Sequence, residues 1–202
     1  MWHLPGFEAH YRMMPSVRRI QMEHLQQPKN ARCSAVLLLL YLDQGQMQTV
    51  FIRRPEYDGV HGGQISFPGG KCEDSDNDWI HTALRETTEE IGCVIDREAV
   101  LGQLSTLYIP PSHYLVHPVV AFVPSKPVFN ADPTEVAEIV TIPIQELLDE
   151  KCVTSAVFAS KGPLKIEAPC YDVGSCKIWG ATAMILCELL SVFSEALKDI
   201  YK

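Results

Sequence analysis

The segment from Asn77 to Ile91 constrains this chain more than any other. Its apolar pattern demands a helix, yet its last turns crowd three carboxylates together. Ile80, Ala83, Leu84, Thr87 and Ile91 recur at three- and four-residue spacing, which makes one inward stripe. Ser75 and Asp78 fit a capping box at the start, and Gly92 fits the left-handed position past the end. The outer side carries Arg85-Glu86-Thr87-Thr88-Glu89-Glu90. At about 100° per residue, Glu89 stands roughly 60° to one side of Glu86 and Glu90 roughly 40° to the other. All three lie at the negative end of the helix dipole, and like charges at i,i+4 add to the penalty, about 0.3 kcal/mol each. A divalent cation would compensate, since magnesium and manganese take hard oxygen ligands; a solvated acidic face partly neutralised by Arg85 is the other reading.

The chain before this helix supplies a glycine-rich approach. Ala35–Leu42 reads as a buried strand, Asp43–Gln46 as a turn and Met47–Arg53 as the returning strand. A short extended piece, Gln64–Phe67, runs into Pro68-Gly69-Gly70, read as a tight bend where backbone can approach a ligand because glycine has no Cβ. Gly70 would offer its carbonyl to a metal or its amide to a phosphate. Downstream, Leu101–Tyr108, Tyr114–Val123 and Glu135–Ile142 read as strands. Pro143 is expected to open a short helix to Asp149, and Cys152–Ala159 with Leu164–Tyr171 to form a strand pair. A long helix follows from about Gly180, with Trp179, Ala183, Leu186, Leu190, Phe193 and Leu197 on one face; such a face serves a core or a homodimer contact. Near the start, Val17, Ile20 and Leu25 suit a short helix.

Composition narrows the partners. Seventeen Lys and Arg against 25 Asp and Glu leave a net charge of −8, which argues against a broad nucleic-acid surface but not against a local basic pocket. The longest apolar run, Ala35 to Leu42, is too short for a bilayer, and the first residues lack the order of a signal peptide, so a soluble, cytoplasmic protein without a membrane partner is expected. The seven cysteines have no zinc-type spacing and read as reduced thiols.

The stretch from Gly70 to Cys93 resembles the Nudix box, G-x5-E-x7-R-E-U-x-E-E-x-G-U with U apolar. Its second half stands as Arg85-Glu86-Thr87-Thr88-Glu89-Glu90-Ile91-Gly92-Cys93. In the first half the spacing is one residue longer and Asn77 replaces the glutamate; Glu73 or Asp76 would take that place through a shifted loop. Gly63-Gln64-Ile65-Ser66-Phe67-Pro68-Gly69-Gly70 is similar to the G-x3-FPGG element of the coenzyme A pyrophosphatase branch, whose usual upstream arginine is Gly59 here. Leu4-Pro5-Gly6, Ile109-Pro110-Pro111-Ser112 and Trp179-Gly180-Ala181-Thr182-Ala183 also look like this branch.

The resemblance implies an α/β fold, a Nudix α/β/α sandwich with a mixed central sheet. One domain would cover residues 1–202, residues 1–34 forming an extension packed on it and 178–202 the C-terminal helix. It implies Mg²⁺- or Mn²⁺-dependent hydrolysis of coenzyme A or its thioesters to 3′,5′-ADP and 4′-phosphopantetheine or its acyl form. Hydrolysis of ADP-ribose or another nucleoside diphosphate derivative, and a non-catalytic ligand sensor, are the alternatives. Glu86 and Glu90 are the expected metal ligands, with Gly70. Glu89 is a third ligand or the general base, for which Glu135 and Glu138 are further candidates, and Arg85 orients the glutamates. Arg53, Arg54, Gly69 and Lys71 are the expected substrate contacts. His61, His113, His117, Tyr57 and Tyr108 are candidates for phosphate or adenine, and Cys72 is expected to be a bystander.

Overall fold

The computed structural model describes residues 4–22, 30–56, 62–159 and 165–200. Leu25, Tyr57, Gly59 and His61 lie outside the described residues. The elements in chain order are α1 (Phe7–Arg12), α2 (Ser16–Met22), β1 (Arg32–Asp43), β2 (Gln46–Arg53), β3 (Ile65–Ser66) and β4 (Gly69–Lys71). Then come α3 (Trp79–Ile91), β5 (Val100–Gln103), β6 (Leu107–Ile109), β7 (Tyr114–Val123) and β8 (Glu138–Pro143). The last are α4 (Ile144–Leu148), β9 (Val153–Ala159), β10 (Lys165–Val173), β11 (Cys176–Trp179) and α5 (Gly180–Ile200). They divide into two compact units, Gln27–Ile144, and Met1–Gln26 with Gln145–Lys202.

In the first unit the unbroken apolar run of β1 takes the centre of an eight-stranded sheet. The path is β3-β2-β1-β7-β5, with β4 paired to β1, β6 to β7 and β8 to β2. β1 runs parallel to β7 from Arg32↔Tyr114 to Tyr41↔Val123, and every other pairing is antiparallel, so the sheet is mixed. Continuous hydrophobicity belongs in such a central strand, because Leu37 to Tyr41 are all but fully buried. Gln44 and Gly45, both at positive φ, close the β1–β2 hairpin at the expected turn. α3 packs on β1, β4 and β7. Its inner stripe, Ala83 and Ile91 with Trp79, Ile80 and Leu84, joins Ala35, Leu37, Leu39, Val119 and Ala121 in one core. Burial of each large apolar side chain there contributes about 1.5–3 kcal/mol.

Several boundaries differ from the pattern reading. Gly69–Lys71 is not a free bend but a short strand zipped to β1. Asp78 alone caps α3, accepting from the His81 amide at 2.8 Å, while Ser75 makes no cap. Leu101–Tyr108 is split into β5 and β6, and a register shift between Val100 and Gly102 disturbs the pairing with β7. Glu135–Ala137 precede β8, because Asp132 folds residues 132–136 into a turn through the Thr134 amide at 2.8 Å. Pro143 closes β8, and the expected short helix starts at the next residue as α4.

The second unit joins a three-stranded antiparallel sheet, β9-β10-β11, to α5 and α1. The third strand and α1 were not apparent from periodicity. By length and composition α5 would also cross a bilayer, yet Ala183 to Leu190 are buried. Fully buried Glu188 accepts from the Gly6 amide at 3.1 Å and bonds His10 Nε2 at 2.9 Å. That bridge ties α1 to α5.

Candidate active site

The carboxylate helix meets β4 at two adjacent glycines, and each is glycine for a different reason. At Gly69, φ is +146°, and a Cβ would stand 2.3 Å from the Ala35 carbonyl and 2.5 Å from Val36 Cα. At Gly70 a Cβ would stand 2.3–2.6 Å from the Glu86 carboxylate. Removing both side chains lets α3 and β4 approach until the carboxylates lie against backbone.

The Gly69 amide donates to Glu90 Oε2 at 2.8 Å. Gly70 lies opposite Ala35, in the same phase of the ladder as the Cys72 amide bond to the Cys33 carbonyl. That phase makes Gly70–Ala35 a hydrogen-bonded pair and commits the Gly70 amide to β1. The expected amide for a phosphate is therefore taken; a carbonyl, with two lone pairs, keeps a second acceptor site. Lys71 falls in the alternate phase, so its carbonyl is available to accept from Arg85 Nη2 at 3.1 Å.

Glu90 is 2% exposed. Burial pushes its carboxyl up to about 7, with Glu86 and Glu135 adding to the rise and the Gly69 amide and Arg54 opposing it. Burial also raises Glu86, again with help from Glu135 and Glu89 and against Arg85. Glu135 therefore acts electrostatically on both carboxylates, although 45 residues separate it from Glu90. The loop that presents it is sewn to the end of α3: the Asn130 amide donates to the Ile91 carbonyl at 2.8 Å and the Asp132 amide to the Glu90 carbonyl at 2.9 Å. These bonds satisfy carbonyls that any helix leaves orphaned at its C-terminus.

Arg85 organises the outer side. Its Nε and Nη2 donate to the two oxygens of Asp76 at 3.0 Å each, and its Nη1 to Glu86 at 3.0 Å and Glu89 at 2.9 Å. Asp76 also accepts from the Thr82 hydroxyl at 2.8 Å and the Glu73 amide at 3.0 Å. The Arg85 guanidinium holds the Asp76 carboxyl far below the usual carboxylate range. Asp76 thus fills the place that the longer spacing left open, and Asn77 does not. Glu89 is the outward member of the acidic trio.

The remaining candidates separate. Strand alternation sends Arg53 and Arg54 to opposite faces. Arg53 pairs with Glu138 at 2.7 Å across the β2–β8 register, whereas Arg54 acts electrostatically on Glu90. The Lys71 side chain is exposed. His113 bonds the Tyr108 hydroxyl at 2.9 Å and the Asn30 carbonyl at 3.1 Å, holding the β6–β7 connection. His117 is stacked on Trp79 with ring centroids 4.1 Å apart, and burial lowers its pKa. Neither histidine presents a ring to the carboxylates. The structural parts that sequence reasoning missed are the 130–136 loop and Thr82; a turn signal at Asp132-Pro133-Thr134 was the available cue for the loop.

Among the described residues, no three His, Cys, Asp or Glu side chains stand together as a ready cation cage. Arg85 draws Glu86 and Glu89 to itself, and Gly69 holds Glu90. The donor chemistry nonetheless suits a hard divalent cation: Glu86 and Glu90 are oxygen donors one helical turn apart, both raised by burial, and Glu86 adds to the rise at Glu90.

A helix of clustered carboxylates, laid on a mixed sheet against a Gly-Gly strand and braced by its own arginine, is the α/β arrangement of a Nudix-type hydrolase. The NUDIX domain profile matches residues 31–158, and the chain belongs to the Nudix hydrolase family. Enzymes of this family typically depend on a divalent metal. The chain is 36% identical over 155 residues to the mitochondrial coenzyme A diphosphatase NUDT8 of Homo sapiens, covering 75% of this chain and 65% of that protein, less than two thirds of its length. It is 33% identical over 177 residues to the uncharacterized Nudix hydrolase NudL of Photorhabdus laumondii, covering 86% of this chain and 93% of that one. Among solved structures it superposes on a MutT/nudix family protein from Enterococcus faecalis with a TM-score of 0.59 at 15% identity, over 93% of this chain and 73% of that one. The Nudix hydrolase RenU from M. smegmatis gives 0.53 at 16%, over 82% and 87%. The expected Nudix fold with a mixed central sheet is therefore present.

Proposed function

We propose that this chain hydrolyses the diphosphate bridge of coenzyme A or its thioesters, with Mg²⁺ or Mn²⁺, to 3′,5′-ADP and 4′-phosphopantetheine or its acyl form. The observation that carries the reading is the Glu86–Glu90 carboxylate pair, one helical turn apart and pressed against Gly69-Gly70, with Glu90 buried and its carboxyl raised to about 7. The coenzyme A diphosphatase relative, with the G-x3-FPGG element, supports the choice of substrate.

Glu86 and Glu90, joined by Glu89 and the Gly70 carbonyl, would hold the metal, which when bound supplies positive charge to the phosphate oxygens and lowers the pKa of water. Asp76 fixes Arg85, and Arg85 fixes the orientation of Glu86 and Glu89. Glu135 is the residue we assign as general base: it is exposed and acts electrostatically on the carboxylate pair from a tethered loop. Glu138 is engaged with Arg53 and is a weaker candidate. Arg54 and Lys71 offer cationic contacts to the substrate's phosphates. The free thiols suit the cytoplasmic setting that belongs to this proposal.

Incubation with Mg²⁺ and a panel of coenzyme A, acyl-coenzyme A, ADP-ribose, NADH and diadenosine polyphosphates, followed by separation of products, tests the reading. Release of 3′,5′-ADP from coenzyme A at the highest kcat/KM is expected. Preference for ADP-ribose would overturn the substrate and keep the enzyme class.

A further inference from the structure

Two of the seven cysteines stand apart from the rest. Cys93, Cys152, Cys170, Cys176 and Cys187 are buried, whereas Cys33 and Cys72 are half-buried. These two also face each other. The β1–β4 ladder pairs Ser34 with Lys71, and one step further the Cys72 amide donates to the Cys33 carbonyl at 3.1 Å. Opposed residues of a hydrogen-bonded antiparallel pair stand about 5.5 Å apart at Cα, inside the roughly 4.4–6.8 Å that a disulfide spans. Directly opposed side chains project from the same face of a sheet. Here that face is the one under α3, because Ala35, two residues on from Cys33, joins the core with the inner stripe of α3; burial there pushes the Cys72 thiol up, with Thr82 opposing the rise.

Thr82 is also the link to the candidate active site. Its hydroxyl donates to Asp76, Asp76 grips Arg85, and Arg85 is held from the other side by the carbonyl of Lys71, next to Cys72. A bond that drew the Cys72 sulfur to Cys33 would pull on the segment beside Thr82 that fixes the arginine.

We propose that Cys33 and Cys72 are a redox modification site, oxidised to an intramolecular disulfide by a low-molecular-weight disulfide, and that this bond lowers turnover at the adjoining carboxylates. One cysteine thiolate attacks a sulfur of the small disulfide. A new S–S bond forms, the old one breaks, and the departing sulfur leaves with the electron pair and takes up a proton. The second cysteine thiolate then attacks the mixed disulfide and expels the other small thiol. Two cysteine thiols are oxidised and one disulfide is reduced to two thiols, two electrons on each side. The effect on turnover rests on the hydrolase reading above; the disulfide itself does not.

The test treats the full chain with glutathione disulfide. Expected are loss of two hydrogens in the intact mass, one linked peptide joining Cys33 to Cys72, and turnover reduced about tenfold or more, the scale that displacing a catalytic group sets. Dithiothreitol should restore activity, and Cys33→Ala, treated alike, should keep it. The absence of that linked peptide, a linked protein with unchanged turnover, or equal inactivation of Cys33→Ala would each overturn the proposal. If no diphosphate is cleaved before oxidation, the hydrolase reading fails with the claim on turnover, while the mass and peptide map still decide the disulfide.

Discussion

Asp76 and Arg85 form a two-pronged pair, Oδ1 to Nε and Oδ2 to Nη2, each at 3.0 Å, with the Asp76 side chain only 3% exposed. The pair makes the longer glycine-to-arginine spacing workable: the additional residue carries a carboxylate round to the guanidinium, which then braces Glu86 and Glu89.

Asp76→Asn should reduce kcat by about 10²-fold with a smaller change in KM, because it loosens the orientation of the glutamates rather than a contact with substrate. Breaking a buried pair costs about 3–5 kcal/mol, so chemical denaturation should also move to lower urea. The Asp76 carboxyl is depressed in the native state. Its contribution to stability is therefore present above the unfolded carboxylate range and is lost as acid titrates the folded group. A urea series against pH should show a flatter acid limb in the variant.

Glu90 has the opposite sign. Its folded carboxyl lies at about 7 against 4.5 for the ordinary group, so between those values the native state binds more protons than the unfolded chain. Metal-free protein should therefore lose stability as pH rises through that window. Glu90→Gln should remove this slope and raise the Tm of metal-free protein at pH 8, while lowering turnover by at least about 10²-fold. Near-normal turnover in that variant would reject Glu90 as a ligand.

Chelation should abolish activity, and added Mg²⁺ or Mn²⁺ should restore it. The cation should also raise the Tm more at pH 8 than at pH 5, since the buried Glu90 carboxyl, at about 7, is then ionised. A scanning fluorimetry grid of pH against cation measures this; activity that persists in EDTA would remove the metal from the proposal.

The adjacent glycines should respond differently to alanine. At Gly70 the new methyl meets the end of a flexible Glu86 side chain, so Gly70→Ala should fold with a Tm near that of the parent but lose about tenfold or more in kcat. At Gly69 it meets backbone at an unfavourable φ, so Gly69→Ala should cost about 3 kcal/mol or more. Equal Tm losses would sink the distinction.

Glu135→Gln should lower kcat by about 10²-fold or more and flatten the acid limb of the pH–rate profile, the mark of a lost base. Glu138→Gln should leave kcat within about threefold, because it only releases Arg53 at an exposed pair. The reverse ranking would transfer the role to Glu138.

The sequence was most legible where a local period or a spacing decides the structure. The stripe from Ile80 to Ile91 predicts α3 to within a residue or two, and the apolar run predicts β1. The carboxylate constellation followed from helical geometry and the motif together. What pattern could not supply was the long-range environment. That Gly69 would lie in a ladder and that Glu135 would act on Glu90 depend on pairings between distant segments, while the choice of Asp76 over Glu73 depends on a turn that bonds the Asp76 amide to the Glu73 carbonyl. The break between β5 and β6 was hidden for a similar reason, since it is set by β7, where β5 pairs with Val119 to Ala121 and β6 with Tyr114 to Val116.

The amides of Asn130 and Asp132 have a bearing on how such an enzyme is made. The helix can wind as soon as its own residues leave the ribosome, but its final carbonyls wait for about forty more residues to be translated. Until that later segment arrives and Ala137 docks its amide on Arg53, the last turn, with Glu90 in it, is free to fray. A nascent chain therefore carries Glu86, Glu89 and Glu90 well before it can hold them in working order.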